Sequence, residues 1–97
     1  MEIAISDNAI EVVRDSLEKE VILLRAKIRL AEKEIAVFED RYNMPSSLFH
    51  KKFENGDLGD NQDFFEWWSL TKGLETFRTQ LDQAQSVISK LVISEYP

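Results

Sequence analysis

Cysteine is absent from the 97 residues, which excludes a disulfide framework and any zinc site built on thiolates. Glycine and proline are scarce, at three and two residues, so turns are few and long uninterrupted elements are expected. No stretch approaches the ~18 apolar residues that a spanning helix needs. The opening MEIAISDN has neither a basic leader nor an apolar run of signal length. A cytoplasmic protein without a membrane partner is the expectation. Cations are in deficit, 12 against 18 carboxylates, for a net charge of −6. A phosphate backbone is held chiefly by clustered lysine and arginine, and the HKK run at His50 to Lys52 is too short to supply that. Direct nucleic-acid binding is therefore not expected, whereas an acidic surface suits a basic protein partner through long-range attraction. His50 is the single histidine, and no Gly-x-Ser-x-Gly or phosphate-cradling glycine loop accompanies it. Neither an enzyme nor a cofactor site is expected.

What is present is periodicity. Hydrophobic residues make up 43% of the chain, enough for one folded domain over residues 1–97. Leu17, Val21, Leu24, Ile28, Ala31, Ile35, Phe38 and Tyr42 recur in alternating steps of four and three. Trp67, Leu70, Leu74, Phe77, Leu81, Ala84, Ile88 and Leu91 do the same. Each row is a heptad seam and predicts a long helix. Asn8 and Glu11 have the spacing of a reciprocal cap, so the first helix is expected from about 9 to 42. Asn43 offers a left-handed exit, and Pro45 prevents continuation. A short helix is expected over about 46–55, stopped at Gly56. An acidic loop is expected over about 56–61, and a second long helix, capped by Asp60 or Asn61, over about 62–94. Gly73 lies inside that helix, where it offers another helix close approach.

Two seams of nearly equal length joined by a short connector predict an all-α fold. The expected form is an antiparallel helical hairpin with coiled-coil packing and the short helix over the bend. Two registers a heptad apart satisfy the pattern. A two-helix hairpin leaves much apolar surface uncovered, and further apolar positions are available. Ile10, Val13, Val87 and Val92 would gather at the open end, and Leu23, Leu30 and Val37 repeat every seven residues on another face of the first helix. These seven are the candidates for self-association, as a homodimer forming a four-helix bundle or a higher oligomer. The leading MEIAIS is compatible with a short strand, a swapped segment or a loose end.

The stretch ENGDLGDNQDFFEWW, Glu54 to Trp68, concentrates acids and aromatics. As a calcium loop it would place Asn55, Asp57, Gly59, Asp63 and Glu66 at the first, third, fifth, ninth and twelfth positions. Asp60 would then stand at the sixth position, where glycine is needed for the sharp turn. No metal site is expected; the acids suit the start of the second long helix. The paired acids Glu32/Glu34 and Glu39/Asp40 resemble those of helical magnesium-dependent nucleotide pyrophosphohydrolases. Only Glu66 and Glu75 face them, so that reading ranks last. Trp67 belongs to the seam and is expected in the core. Phe64, Phe65 and Trp68 lie off it, and some should pack on Leu48, Phe49 and Phe53. Covering all these rings around one bend is difficult. Phe64, Phe65, Trp68, Asp60 and Asp63 are therefore the candidate partner-binding residues, with Phe65 or Trp68 the exposed anchor.

The segment Glu39 to Leu70 resembles a recurring segment of small bacterial and archaeal proteins, which in turn resemble the antitoxin-like partners encoded beside small toxins in toxin–antitoxin loci. The likeness is carried by Tyr42 and Met44, then by Phe49, Phe53, Glu54, Gly56, Leu58, Gly59 and Asp60, then by Phe65, Glu66 and Trp67. It covers about a third of the chain, between two long charged helices. The resemblance implies neutralisation of a small, basic cognate toxin by direct binding. No DNA-binding module accompanies the segment, unlike antitoxins that regulate their own transcription. The expected function is thus a non-enzymatic protein-binding module of antitoxin type. The alternative is a structural coiled-coil homo-oligomer or adaptor without a toxin.

Overall fold

The computed structural model of the chain describes residues 3–5 and 7–93, with side chains from 8 to 91. Three helices dominate: α1 (Asp7–Tyr42), α2 (Ser46–Glu54) and α3 (Gln62–Lys90). Two three-residue strands, β1 (Ile3–Ile5) and β2 (Leu91–Ile93), flank them. The chain divides into two compact units, Met1–Lys27 with Phe77–Pro97, and Ile28–Thr76. Both long helices contribute a segment to each.

In the first unit β1 and β2 pair in parallel, with Ile3 opposite Leu91, Ala4 opposite Val92 and Ile5 opposite Ile93. The expected helix to about 94 therefore stops at Lys90. Leu91, Val92 and Ile93 form a run rich in β-branched residues of low helix propensity, and a strand partner is at hand. Leu91 is nonetheless buried, as are Ile10, Leu24 and Ala84. Lys27 lies over the Phe77 ring at 5.6 Å. A groove of about 520 Å³ is lined by Glu18, Val21 and Ile22 of α1 and by Gln85, Ile88 and Ser89 of α3. The start of α1 also differs from expectation. Asp7 is already helical, so Asn8 sits in the first turn and is not the cap. An acid at that end is favoured by the unpaired amides there.

The second unit holds an aromatic core. Phe49 and Trp67 are fully buried and stack face to face, with centroids 3.9 Å apart and planes 3° from parallel. Phe38 and Tyr42 each lie 6.0 Å from the Trp67 ring, and Tyr42 also meets Phe64 at 5.0 Å. Ala31, Ile35 and Leu74 complete the buried cluster. Rising numbers on α1 meet falling numbers on α3, so the helices run antiparallel here as a hairpin. The register sets Phe38 and Tyr42 against Trp67. All sixteen seam residues are buried or half-buried.

Two tight exits position α2. Asn43 adopts φ 48°, and the amides of Asn43 and Met44 return to the carbonyls of Asp40 and Glu39. Those two bonds satisfy carbonyls that the end of α1 would otherwise leave orphaned. Gly56, at φ 76°, repeats the device at the end of α2: its amide and that of Asp57 return to Phe53 and Lys52. Pro45 accepts from Leu48 and Phe49 to open α2, and Asn61 Oδ1 accepts from the Asp63 amide at 2.9 Å to open α3. Gly73 has no element close by, since a Cβ there would meet nothing within 4 Å. Among the described residues, the close approach that a glycine permits is not used.

This packing carries two stability predictions. Trp67→Ala removes the ring shared by all three helices and should cost about 3–5 kcal/mol in urea unfolding. Gly73→Ala should raise stability by about 1 kcal/mol, read as a higher melting temperature, because a helical alanine fits the open space.

Candidate functional site

The corner where α2 gives way to α3 combines acids, exposed aromatics and a recess. Between Phe53 and Glu66 the chain carries five carboxylates and no lysine or arginine. The left-handed glycines Gly56 and Gly59 (φ 76° and 67°) fold the connecting loop back over the aromatics. A recess of about 190 Å³ results, lined by Phe53, Gly56, Leu58, Gly59, Asp60 and Phe65. Small-molecule sites usually occupy ~300–1,000 Å³, so this one suits a single side chain of a larger partner.

The five expected partner-binding residues separate by role. Phe64 is buried against Tyr42 and Phe49; it belongs to the core and is not offered to a partner. Phe65 is 50% exposed, its ring held edge-on to Phe53 at 5.7 Å. Trp68 is half-buried, stacked on Phe53 at 4.8 Å and covered by the Lys72 ammonium at 4.6 Å. Asp60 is exposed at the recess. Asp63 turns inward: its Oδ2 accepts from the Tyr42 hydroxyl at 2.6 Å and from the Arg41 guanidinium at 2.7 Å. The structure thus brings Phe65 and Asp60 together at the recess and assigns Asp63 to tying α3 to α1.

Those bonds fix the electrostatics of Asp63. The Tyr42 hydroxyl first, then Arg41, stabilise its ionised form and hold its pKa below the ordinary carboxylate value. The same bond pushes the Tyr42 hydroxyl upward, since losing its proton would leave two anions in contact. Asp63, which would hold the ninth position of a calcium loop, is therefore committed to Tyr42 and Arg41. Among the described residues no three acids or histidines converge as metal ligands.

His50 is also occupied. The Thr71 hydroxyl lies within hydrogen-bond distance of the Trp68 carbonyl, at 2.8 Å. His50 Nε2 stands 2.6 Å from that oxygen of Thr71 and shares a hydrogen bond with it. This bond satisfies the buried polar side chain of Thr71. Of the paired acids, Glu39 accepts the Ser46 amide at 2.8 Å.

Sequence reasoning missed Phe53 and Leu58 as recess walls, and Ser46 as the acceptor for the Trp67 indole N–H at 2.9 Å. Two glycines bracketing a lone leucine were the available signal for the recess. Ser46 carries no signal in one dimension.

The self-association candidates also differ. Ile10 is fully buried within this chain, Val13 is exposed and Val87 half-buried. The Val92 side chain lies outside the described residues. Leu23, Leu30 and Val37 are all exposed on α1. Among the described residues no helix is long and apolar enough to cross a membrane.

The Asp63 cluster predicts a pH dependence. A depressed folded-state pKa contributes stability that is full above about pH 4 and is lost as pH falls through the folded value. Asp63→Asn should lower the melting temperature at neutral pH, and its deficit relative to wild type should shrink steadily on acidification. Above about pH 10 wild type should lose stability again as the raised Tyr42 hydroxyl ionises. Thermal unfolding across a pH series checks both limbs. No family model, curated protein or solved structure matches the chain, so its function is argued from this geometry.

Proposed function

We propose that the chain is a non-enzymatic protein-binding module that docks a basic protein at the acidic, aromatic corner between Phe53 and Glu66. One observation carries the reading. Phe65 stands half exposed against Phe53 at the rim of a side-chain-sized recess, in a segment with carboxylates and no cation. A rigid aromatic beside a small pocket supplies the desolvated anchor of an interface, while Asp57 and Asp60 steer a cationic surface toward it. The resemblance of Glu39 to Leu70 to antitoxin-like proteins supplies the partner class: a small, basic toxin, neutralised by being covered. The same proposal includes association of two copies into a four-helix bundle. The competing reading, a coiled-coil homo-oligomer with no companion, is favoured by the exposed row on α1.

Purification of the tagged full chain from its native host, with light scattering on the eluate, separates the two. The proposal expects one small basic protein in fixed ratio. Phe65→Ala and Asp60→Lys should each weaken that complex by about tenfold or more without shifting the melting temperature, and added salt should slow association. Homo-oligomer alone, or a complex indifferent to both substitutions, would overturn it.

A further inference from the structure

The recess at the end of α2 is open at its two glycines. A Cβ at Gly56 or Gly59 would meet nothing within 4 Å, so no described part of the chain stands over them. The other walls are the Phe53 and Phe65 rings, the half-buried Leu58 and one acid, Asp60. A mostly apolar recess with a single carboxylate in its lining restricts what can fill it.

Charge makes the first selection. Of the five carboxylates from Glu54 to Glu66, Asp63 is held by Tyr42 and Arg41, and Glu66 accepts from Gln62 at 3.4 Å. Glu54, Asp57 and Asp60 are exposed, and among the described residues no ion pair reaches them. Whatever enters the recess displaces water from Asp60. A neutral side chain would leave that carboxylate desolvated and unpaired, which is costly. A cationic one replaces the lost water with a charge-assisted hydrogen bond.

The walls make the second selection. An ammonium is a compact, strongly hydrated point charge, and the lining gives it one carboxylate among rings and an aliphatic side chain. A lysine head is better left in bulk water. A guanidinium is planar and more weakly hydrated. Its face stacks on an aromatic ring while its edge offers a carboxylate paired N–H donors. We propose that the recess takes a single arginine side chain of the basic partner, with its guanidinium on Asp60 and its plane against the exposed Phe65 ring. This rests on the reading of the corner as a docking site and names the group that the partner presents there.

Titration of the isotope-labelled full chain with N-acetyl-arginine amide, followed by backbone amide shifts, tests the assignment without the partner. The expected result is one saturable set of shifts at Gly56, Gly59, Asp60 and Phe65. The lysine counterpart should bind more weakly by about threefold or more. The citrulline counterpart, which keeps the shape without the charge, should bind about tenfold more weakly. Asp60→Asn should weaken the arginine probe about tenfold with the melting temperature unchanged, and Asp57→Asn, outside the lining, should weaken it less. Free arginine, whose α-carboxylate meets the same acids, should bind less well than the blocked probe. Absence of shifts at these amides, equal binding of the lysine probe, tighter binding of a norleucine probe or of free arginine, or an Asp60→Asn chain that binds as before would each overturn the assignment. The docking reading fails separately. A recess that takes the arginine probe, in a chain that recovers no basic protein from its host, would support this inference and remove that reading. A basic protein held through Phe65, with a recess that ignores the probe, would do the reverse.

Discussion

The Trp67 indole is the contact on which the second unit depends. One face stacks on Phe49 of α2, Phe38 and Tyr42 of α1 pack around it, and its N–H is satisfied by Ser46. A single side chain from α3 thus fixes where the other two helices sit. Full burial of a ring this size supplies more apolar contact than any single aliphatic side chain on the seam. The hydrogen bond to Ser46 matters for a different reason. Without it the buried N–H would be left unsatisfied, at a cost of about 1–3 kcal/mol. The bond therefore selects the placement of α2 in which Ser46 faces the indole.

The exposed corner is a consequence of that placement. α2 has only nine residues and commits Phe49 to Trp67, leaving Phe53 to cover the first turns of α3. Trp68 lies flat on one side of Phe53 and Phe65 meets it edge-on. Half of the Phe65 surface stays open to solvent. The two left-handed glycines turn the loop so that Leu58 and Asp60 wall the recess. What is offered to a partner is held by packing on its inner side, and an anchor already fixed in its bound geometry loses little entropy on binding.

The seams were legible because a heptad repeat is a one-dimensional signal, and every seam position proved buried or half-buried. Asn43, Pro45 and Gly56 were legible as breaks because left-handed backbone and the missing proline amide restrict which residues fit. The end of α3 was not. Leu91 continues the seam, so the pattern runs on to it, while the strand that replaces the helix depends on a partner at Ile3–Ile5 at the other end of the chain. Asp63 reads in sequence as a partner-facing acid, since its bonds to Tyr42 and Arg41 cross more than twenty residues. Phe64, Phe65 and Trp68 are neighbours in sequence but differ in fate, because successive helical positions point about 100° apart. Which of them is covered depends on where α2 docks. The exposed row on α1, Leu23, Leu30 and Val37, was visible as a repeat of seven.

The central claim is that partner binding is localised to the corner between Phe53 and Glu66. Amide hydrogen exchange on the purified full chain, alone and in complex with the protein that co-purifies with it, tests this most directly. The account predicts that binding slows exchange across the loop and first turn of α3, residues 55–66, while the middle of α3 is unchanged. Protection confined to α1 or to the groove of the first unit, with residues 55–66 exchanging as before, would contradict it.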